Sequence, residues 1–348
     1  MKKLSIIIPV FNGEKFIKRC VDSVLNQSMY IDEIIIINDN STDGTIEILE
    51  KNYSNLVNIK IINLKKNHGV SYCRNLGIEK SSGEYIGFVD SDDYVEVNMF
   101  EKMYNNAKDN NLDICICNFV EVNQQNRIKS KYKNNEEILE RDKSLEKYLL
   151  NKISPSVWDK IFRRKILKNI KFNTKLIIGE DILFCLEAFY YSKKTGFVND
   201  YLYNYIQNDN SAVHTISSKL LQYVDVIKYI PLQIEKDLKL NFRSEYNTFF
   251  NSLNLRIIHS VSALYNKKVK KQVFEYLSFV DKQTLKLIVK DKKLSKFIRV
   301  EAFIILIFGL KVHISLQPLY VRIRNIKNRW FYEWKNRFCF TLGWWKWS

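Results

Sequence analysis

The sequence predicts an α/β protein: a Rossmann-like, mostly parallel sheet followed by a helical C-terminal region. Two observations carry this expectation. Through the first third, β-branched apolar runs alternate with amphipathic stretches of helical spacing. From about Ser217 onward, helical spacing prevails almost throughout. At 348 residues, 46% of them apolar, the chain can bury one large α/β core with a smaller appendage. Only 10 Gly and 4 Pro are present, which argues against long flexible linkers.

Each element follows in order. LSIIIPV reads as a buried first strand, and EKFIKRCVDSVLNQ as the helix after it. EIIIIND and TDGTIEILEKNY repeat that pair, as do NIKIINL and GVSYCRNLGIEKSS, and EYIGFVD is a further strand. Such βαβ units bring the strand C-termini to one edge, where open α/β sheets bind ligands. Beyond Asp113, LDICICNFVEVN and IKSKYK read as strands. DKSLEKYLL, PSVWDKIFRRKIL and EDILFCLEAFYYS read as helices, and FVNDYLYNYIQ as a late strand. A domain boundary is expected near residue 215, giving a domain of 1–215 and a helical region of 216–348.

The net charge of +17 calls for an anionic partner: nucleic acid, a membrane surface or a substrate. The six cysteines sit in apolar stretches without a second pair at metal-ligand spacing, which fits buried thiols in a reducing compartment and argues against zinc. The opening MKKLSIIIPVFNGEKF has a basic tip and an apolar run, but Pro9 ends the run and no small-residue cleavage site follows. A buried strand explains it better than a signal peptide, so secretion is not expected.

Polar residues collect at the expected strand ends: Asn12, Asp39, Asn67 and Asp90. Each alone could be a turn or cap residue, but their joint placement points to a site. In FVDSDDY, Asp90, Asp92 and Asp93 follow an apolar strand with no basic neighbour. Like charges this close favour a hard divalent cation, Mg2+ or Mn2+, or else form a solvated turn. Glu180 and Asp181 follow a glycine and open an amphipathic helix, either as dipole-stabilising acids or with one as a general base. Asp39 could accept hydrogen bonds from a base or ribose. Arg74 could meet a phosphate or a base edge, or form a surface salt bridge.

The segments SIIIPVFN, IINDNSTDGT, GVSYCRNLGI, GEYIGFVDSDDY and GEDILF, in this order, resemble glycosyltransferase family 2. The resemblance covers roughly the first two hundred residues. It implies the glycosyltransferase A-type fold and a nucleotide-diphospho-sugar donor, usually a UDP-sugar. Pro9, Phe11, Asn12 and Glu14 would line the nucleotide pocket, Asp39 would bond the base, and Arg74 would help hold the nucleotide. Asp90 and Asp92 would form the D-x-D motif, with Asp92 the direct metal ligand and Asp90 nearer the ribose and metal waters. Asp93 would face the donor sugar or acceptor. Asp181 would be the catalytic base with Glu180 in support, and Trp158 and Lys160 would lie on the acceptor side. The implied reaction is an inverting single displacement onto an acceptor hydroxyl, assisted by Mn2+ or Mg2+, with bacterial surface polysaccharide synthesis as the expected setting. One stretch departs from the family: YIQNDNSAVHT lacks the basic residues that clamp a diphosphate, leaving His214 as the candidate.

The last fifty residues set Lys311, Arg322, Arg324, Lys327, Arg329, Lys335, Arg337 and Lys346 among Trp330, Trp334, Trp344, Trp345 and Trp347. AFIILIFGL is too short to span a bilayer. Aromatics beside cations suit an anionic membrane surface and a lipid-linked acceptor, so a cytoplasmic location at the inner face of the membrane is expected. No nucleic-acid module is visible, and self-association is left open. A dinucleotide-dependent oxidoreductase is disfavoured, because PVFNGEKF carries no G-x-G-x-x-G. The rival readings are a metal-dependent nucleotidyltransferase or pyrophosphatase, and a non-catalytic membrane- or nucleic-acid-binding protein.

Overall fold

The computed structural model describes residues 2–123, 126–130, 138–207, 222–266, 282–294, 299–300 and 302–309. Its elements begin with β1 (Leu4–Val10), α1 (Ile17–Leu25), β2 (Glu33–Asn38), α2 (Thr45–Tyr53), β3 (Ile59–Asn63), α3 (Val70–Lys80) and β4 (Tyr85–Phe88). β1 and β2 are buried along their whole length, as continuous apolar runs in a sheet covered on both faces should be. The strands β3, β2, β1 and β4 are neighbours in that order, all parallel. Chain order therefore runs outward on both sides of β1. Its C-terminal end is a topological switch point, where a crevice opens between diverging loops.

The sheet continues through β5 (Tyr94–Val95), α4 (Met99–Asp109), β6 (Ile114–Val122), β7 (Arg127–Lys129), β8 (Ile138–Glu140), α5 (Arg141–Leu149), β9 (Lys160–Arg163), α6 (Glu180–Tyr191) and β10 (Lys194–Ile206). The path β3-β2-β1-β4-β9-β6-β10-β5 forms one sheet, with β7 on β6 and β8 on β10. β6 and β10 are parallel, whereas β9 is antiparallel to both β4 and β6. The mostly parallel α/β sheet agrees with the sequence reading. The segment PSVWDKIFRRKIL does not: it forms β9 and a short 3-10 turn at Arg164–Leu167 instead of a helix. Ile161 and Phe162 are both fully buried, which a strand inside the sheet allows and an amphipathic helix would not.

The remaining helices named here are α7 (Tyr223–Lys228), α8 (Leu232–Asn241), α9 (Arg243–Asn266) and α10 (Lys282–Lys290). The chain divides into two units between Arg256 and Ile257, later than the expected residue 215, so α7 and α8 belong with the sheet. Cys115 and Cys117 are buried side by side on β6, and Cys20, Cys73 and Cys185 are also buried free thiols. No helix among the described residues is long and apolar enough to cross a membrane. His214 and the basic, aromatic residues from Lys311 to Trp347 lie outside the described residues.

Candidate active site

The acidic loop after β4 is a tight turn in which the Asp93 amide donates to the Asp90 carbonyl at 3.0 Å. Arg19 donates to the Asp92 carbonyl at 2.6 Å, and the Asp90 amide donates to the Tyr203 hydroxyl oxygen at 3.2 Å. These contacts present Asp90 and Asp92 to the crevice and turn Asp93 inward. Asp93 is fully buried and accepts from the Tyr203 hydroxyl at 2.6 Å and the Ile206 amide at 2.7 Å. It was expected to face the donor sugar or acceptor; instead it fastens the loop to β10. Burial, reinforced by Asp92 and Asp90, raises its carboxyl well above the usual range.

Asp39 follows β2 and is almost fully buried. Its carboxylate accepts from the amides of His68 at 2.7 Å and Gly69 at 2.8 Å, which ties the end of β2 to the start of α3. Asn12 and Glu14 knit two loops together. Asn12 accepts from the Thr42 amide at 2.8 Å, and Glu14 from the Gly44 amide at 2.8 Å. Neither lines the crevice, whereas Pro9, Phe11 and Asp39 do.

Arg74 is the hub. Gly77, one helical turn further along α3, lets the helix settle directly on β1: a Cβ there would stand 2.4 Å from Ile7. The buried Arg74 guanidinium donates to Asp181 at 2.7 Å, Asp90 at 2.9 Å and Glu180 at 3.2 Å. It also lies 5.3 Å above the Phe172 ring, which stacks on Phe184 of α6 at 3.9 Å. Asn75 fixes Phe172 by accepting from its amide and donating to its carbonyl, both at 2.8 Å. A residue expected to grip the nucleotide is thus engaged with three carboxylates on three different segments. Burial alone would weaken its hold on its proton, but Asp181, Asp90 and Glu180 outweigh that and raise its pKa.

Glu180 and Asp181 open α6 because Gly179 takes a left-handed backbone, at φ 88°. A Cβ there would come within 2.6 Å of Val226 on α7. Burial, with the charge of Asp181, lifts the Glu180 carboxyl to about 8, and Arg74 opposes that rise. Burial lifts Asp181 to about 6, opposed by Arg74 and aided by Asp90, so Asp181 is ionised at neutral pH and still basic enough to take a proton.

These groups share one cavity of about 550 Å³. Pro9, Phe11 and Asp39 line one part, Asp90 and Asp92 another, and Glu180 and Asp181 a third. The two acidic motifs, distant in sequence, therefore meet around a single space. Trp158 and Lys160 do not reach it. Trp158 stacks on Tyr203 at 4.3 Å. Lys160 is fully buried and donates to Asp159 at 2.7 Å and to the carbonyls of Ser154 and Ser156 at 2.8 Å each. The Lys160 contacts instead brace the strip that brings Pro155 and Ser156 to the cavity wall. The sequence reading missed Tyr223 and Arg256, which also line the cavity. Both sit on helices with no local motif, and only the tertiary packing brings them here.

The model of glycosyl transferase family 2 matches residues 5–185, just over half of the chain. The chain belongs to glycosyl transferase family 2. The family-matched segment contains both acidic motifs and Arg74 but ends before Tyr223 and Arg256. The uncharacterized glycosyltransferase EpsJ of Bacillus subtilis is 34% identical over 60% of this chain and 62% of its own. YibD of Escherichia coli, also an uncharacterized glycosyltransferase, is 30% identical over 74% of this chain and 79% of its own. The poly(ribitol-phosphate) beta-N-acetylglucosaminyltransferase TarP of Staphylococcus aureus is 35% identical over 62% of this chain and 66% of its own. The chain thus spans less than two thirds of the length of EpsJ and TarP. The crystal structure of S. aureus TarS 1-349 in complex with UDP-GlcNAc shares the fold, with a TM-score of 0.63 and 20% identity over 92% of each chain.

Proposed function

We propose that this chain is an inverting glycosyltransferase that moves a sugar from a UDP-linked donor to an acceptor hydroxyl during assembly of a bacterial surface polymer. The observation that carries the reading is the single cavity shared by Asp90, Asp92 and Asp181, with Arg74 joining the acidic loop to the start of α6. Family membership and the surface-polymer names of TarP and TarS support it.

Pro9, Phe11 and Asp39 would accommodate the nucleoside, and Asp90 and Asp92 would stand beside the diphosphate. Five acids line the cavity, Asp39, Asp90, Asp92, Glu180 and Asp181, against two cations, Arg74 and Arg256. A diphosphate entering so acidic a space needs an accompanying cation. Asp90 and Asp92 suit a hard divalent ion. Among the described residues, no three His, Cys, Asp or Glu side chains gather into a protein-only cage, which fits an ion completing its shell with water and diphosphate oxygens. When bound, Mn2+ or Mg2+ supplies Lewis-acid stabilisation of the charge growing on the leaving group.

Asp181 takes the proton of the acceptor hydroxyl as that oxygen bonds to the anomeric carbon. The bond from that carbon to the diphosphate oxygen breaks, and the nucleoside diphosphate leaves with the electron pair from the opposite face. Arg74 keeps Asp181 ionised and fixes its direction. One carboxylate pair stays with the diphosphate while another stays free for the proton, which is why the site needs both acidic motifs. The basic, aromatic residues between Lys311 and Trp347 support attachment to the inner face of an anionic membrane, close to a lipid-linked acceptor.

The test is a panel of nucleotide sugars with Mn2+, read as a melting shift and then by mass spectrometry of any product. A UDP-sugar should raise the melting temperature, and Asp92→Ala should remove most of that gain. Absence of a shift across the whole panel would count against the reading, and release of free phosphate without an acceptor would favour a pyrophosphatase.

A further inference from the structure

We infer that Tyr223 and Arg256 form an anion-recognising subsite for the acceptor, so that the accepted hydroxyl belongs to a molecule carrying a phosphate close to it. The inference deepens the proposed transferase function and rests on it.

The cavity wall on the Asp181 side is completed by helices beyond the family-matched segment, which ends at residue 185. α7 is held against the loop preceding α6: the Gln222 side-chain oxygen accepts from the amides of Ile177 at 2.7 Å and Ile178 at 3.3 Å. Val226 of α7 fills the space beside Gly179. This packing brings Tyr223 to the cavity. Arg256 of α9 donates to the Tyr223 hydroxyl at 3.3 Å and lies 5.3 Å above the Tyr223 ring, which aims its guanidinium at the same wall. A planar guanidinium with several donors suits a phosphate.

The position of Arg256 assigns it to the acceptor. A small second cavity, lined in part by Tyr148, Asn151 and Ser252, shares Pro155, Ile182 and Arg256 with the main one. Ile182 directly follows the proposed base. None of Pro9, Phe11, Asp39, Asp90 or Asp92 lines this second cavity. Arg256 therefore stands where the two spaces meet, at the Asp181 end. Of the two cations lining the main cavity, Arg74 is engaged with three carboxylates, which leaves Arg256 as the cation suited to an incoming anion.

The experiment titrates glycerol 3-phosphate, glycerol and inorganic phosphate separately into the full chain saturated with UDP and Mn2+, by calorimetry or ligand-observed NMR. Wild type should bind glycerol 3-phosphate, and glycerol not measurably. Arg256→Gln should weaken glycerol 3-phosphate about tenfold or more and Arg256→Lys less, with UDP affinity unchanged in both. Tyr223→Phe keeps the ring but loses the hydroxyl, and should give a smaller loss at an unchanged melting temperature. Binding of inorganic phosphate as tight as that of glycerol 3-phosphate would show simple anion capture and overturn an acceptor subsite. So would loss of UDP affinity in Arg256→Gln, which would move Arg256 to the donor diphosphate, and so would equal glycerol 3-phosphate binding by wild type and Arg256→Gln. If UDP itself fails to bind wild type, the transferase reading falls. If UDP binds and glycerol 3-phosphate does not, only the acceptor subsite falls.

Discussion

Replacing Arg74 by methionine should destabilise the sheet-bearing unit strongly, and more at pH 8 than at pH 5. The guanidinium is 4% exposed and holds Asp90, Glu180 and Asp181 within 3.2 Å. Removing one partner of a buried ion pair costs ~3–5 kcal/mol, because the remaining charge stays desolvated. Here three carboxylates are left, although Asp90 and Asp181 retain some exposure to the cavity, so the lower half of that range is expected. At a few °C of melting temperature per kcal/mol, the unit should melt roughly 6–15 °C lower. The sign of the pH dependence follows from the carboxyls. Glu180 and Asp181 already sit above their ordinary values, at about 8 and about 6, and without Arg74 both rise further. A carboxyl whose folded pKa is raised contributes stability below its unfolded pKa and loses it as pH climbs through the folded value. The variant should therefore approach wild type near pH 5, where the carboxyls hold their protons, and diverge from it toward pH 8. The assay is thermal or urea unfolding at pH 5, 6.5 and 8. A loss under about 1 kcal/mol, the size of an exposed pair, or a loss independent of pH would refute the hub role.

Three further outcomes follow from the same geometry. Asp181→Asn should retain UDP-sugar binding and lose transfer by ~10²–10⁴-fold, and wild-type transfer should fall as pH drops below about 6, where Asp181 takes up its proton; pH-rate profiles with quantified product check both. Gly179→Ala should cost ~1–2 kcal/mol for its left-handed backbone, with more from the approach to Val226, and should lower transfer by displacing the start of α6; melting and product assays read each. Lys160→Met should cost ~3–5 kcal/mol by stranding the buried Asp159 carboxylate, and the double variant Asp159→Asn/Lys160→Met should recover most of that loss in a double-mutant cycle.

The first half of the fold was readable because its strands and helices differ in period. LSIIIPV and EIIIIND have no polar face to expose, and the intervening stretches do, so parallel strands under helices follow from burial alone. The two acidic motifs were readable because several carboxylates without local cations need a reason. The fate of Arg74 was not readable. Its partners lie 16, 106 and 107 residues away, and nothing within GVSYCRNLGI says whether it points to a ligand or to other side chains. Lys160 misled for a similar reason: a lysine beside a tryptophan suggests a binding surface, and only the antiparallel insertion of β9 puts it in the interior. β9 itself was misassigned because four residues are too few to display a period. Asp93 shows how one local cluster can divide its labour, with two acids facing the crevice and the third holding the loop through Tyr203, far along the chain.

The most direct measurement of the central claim is a crystal structure of the Asp181→Asn variant with a UDP-sugar and Mn2+. The expected result places the nucleoside beside Pro9, Phe11 and Asp39, the diphosphate beside Asp90 and Asp92, and the anomeric carbon facing residue 181. Electron density for the sugar outside this cavity, or with its anomeric carbon turned away from residue 181, would contradict it.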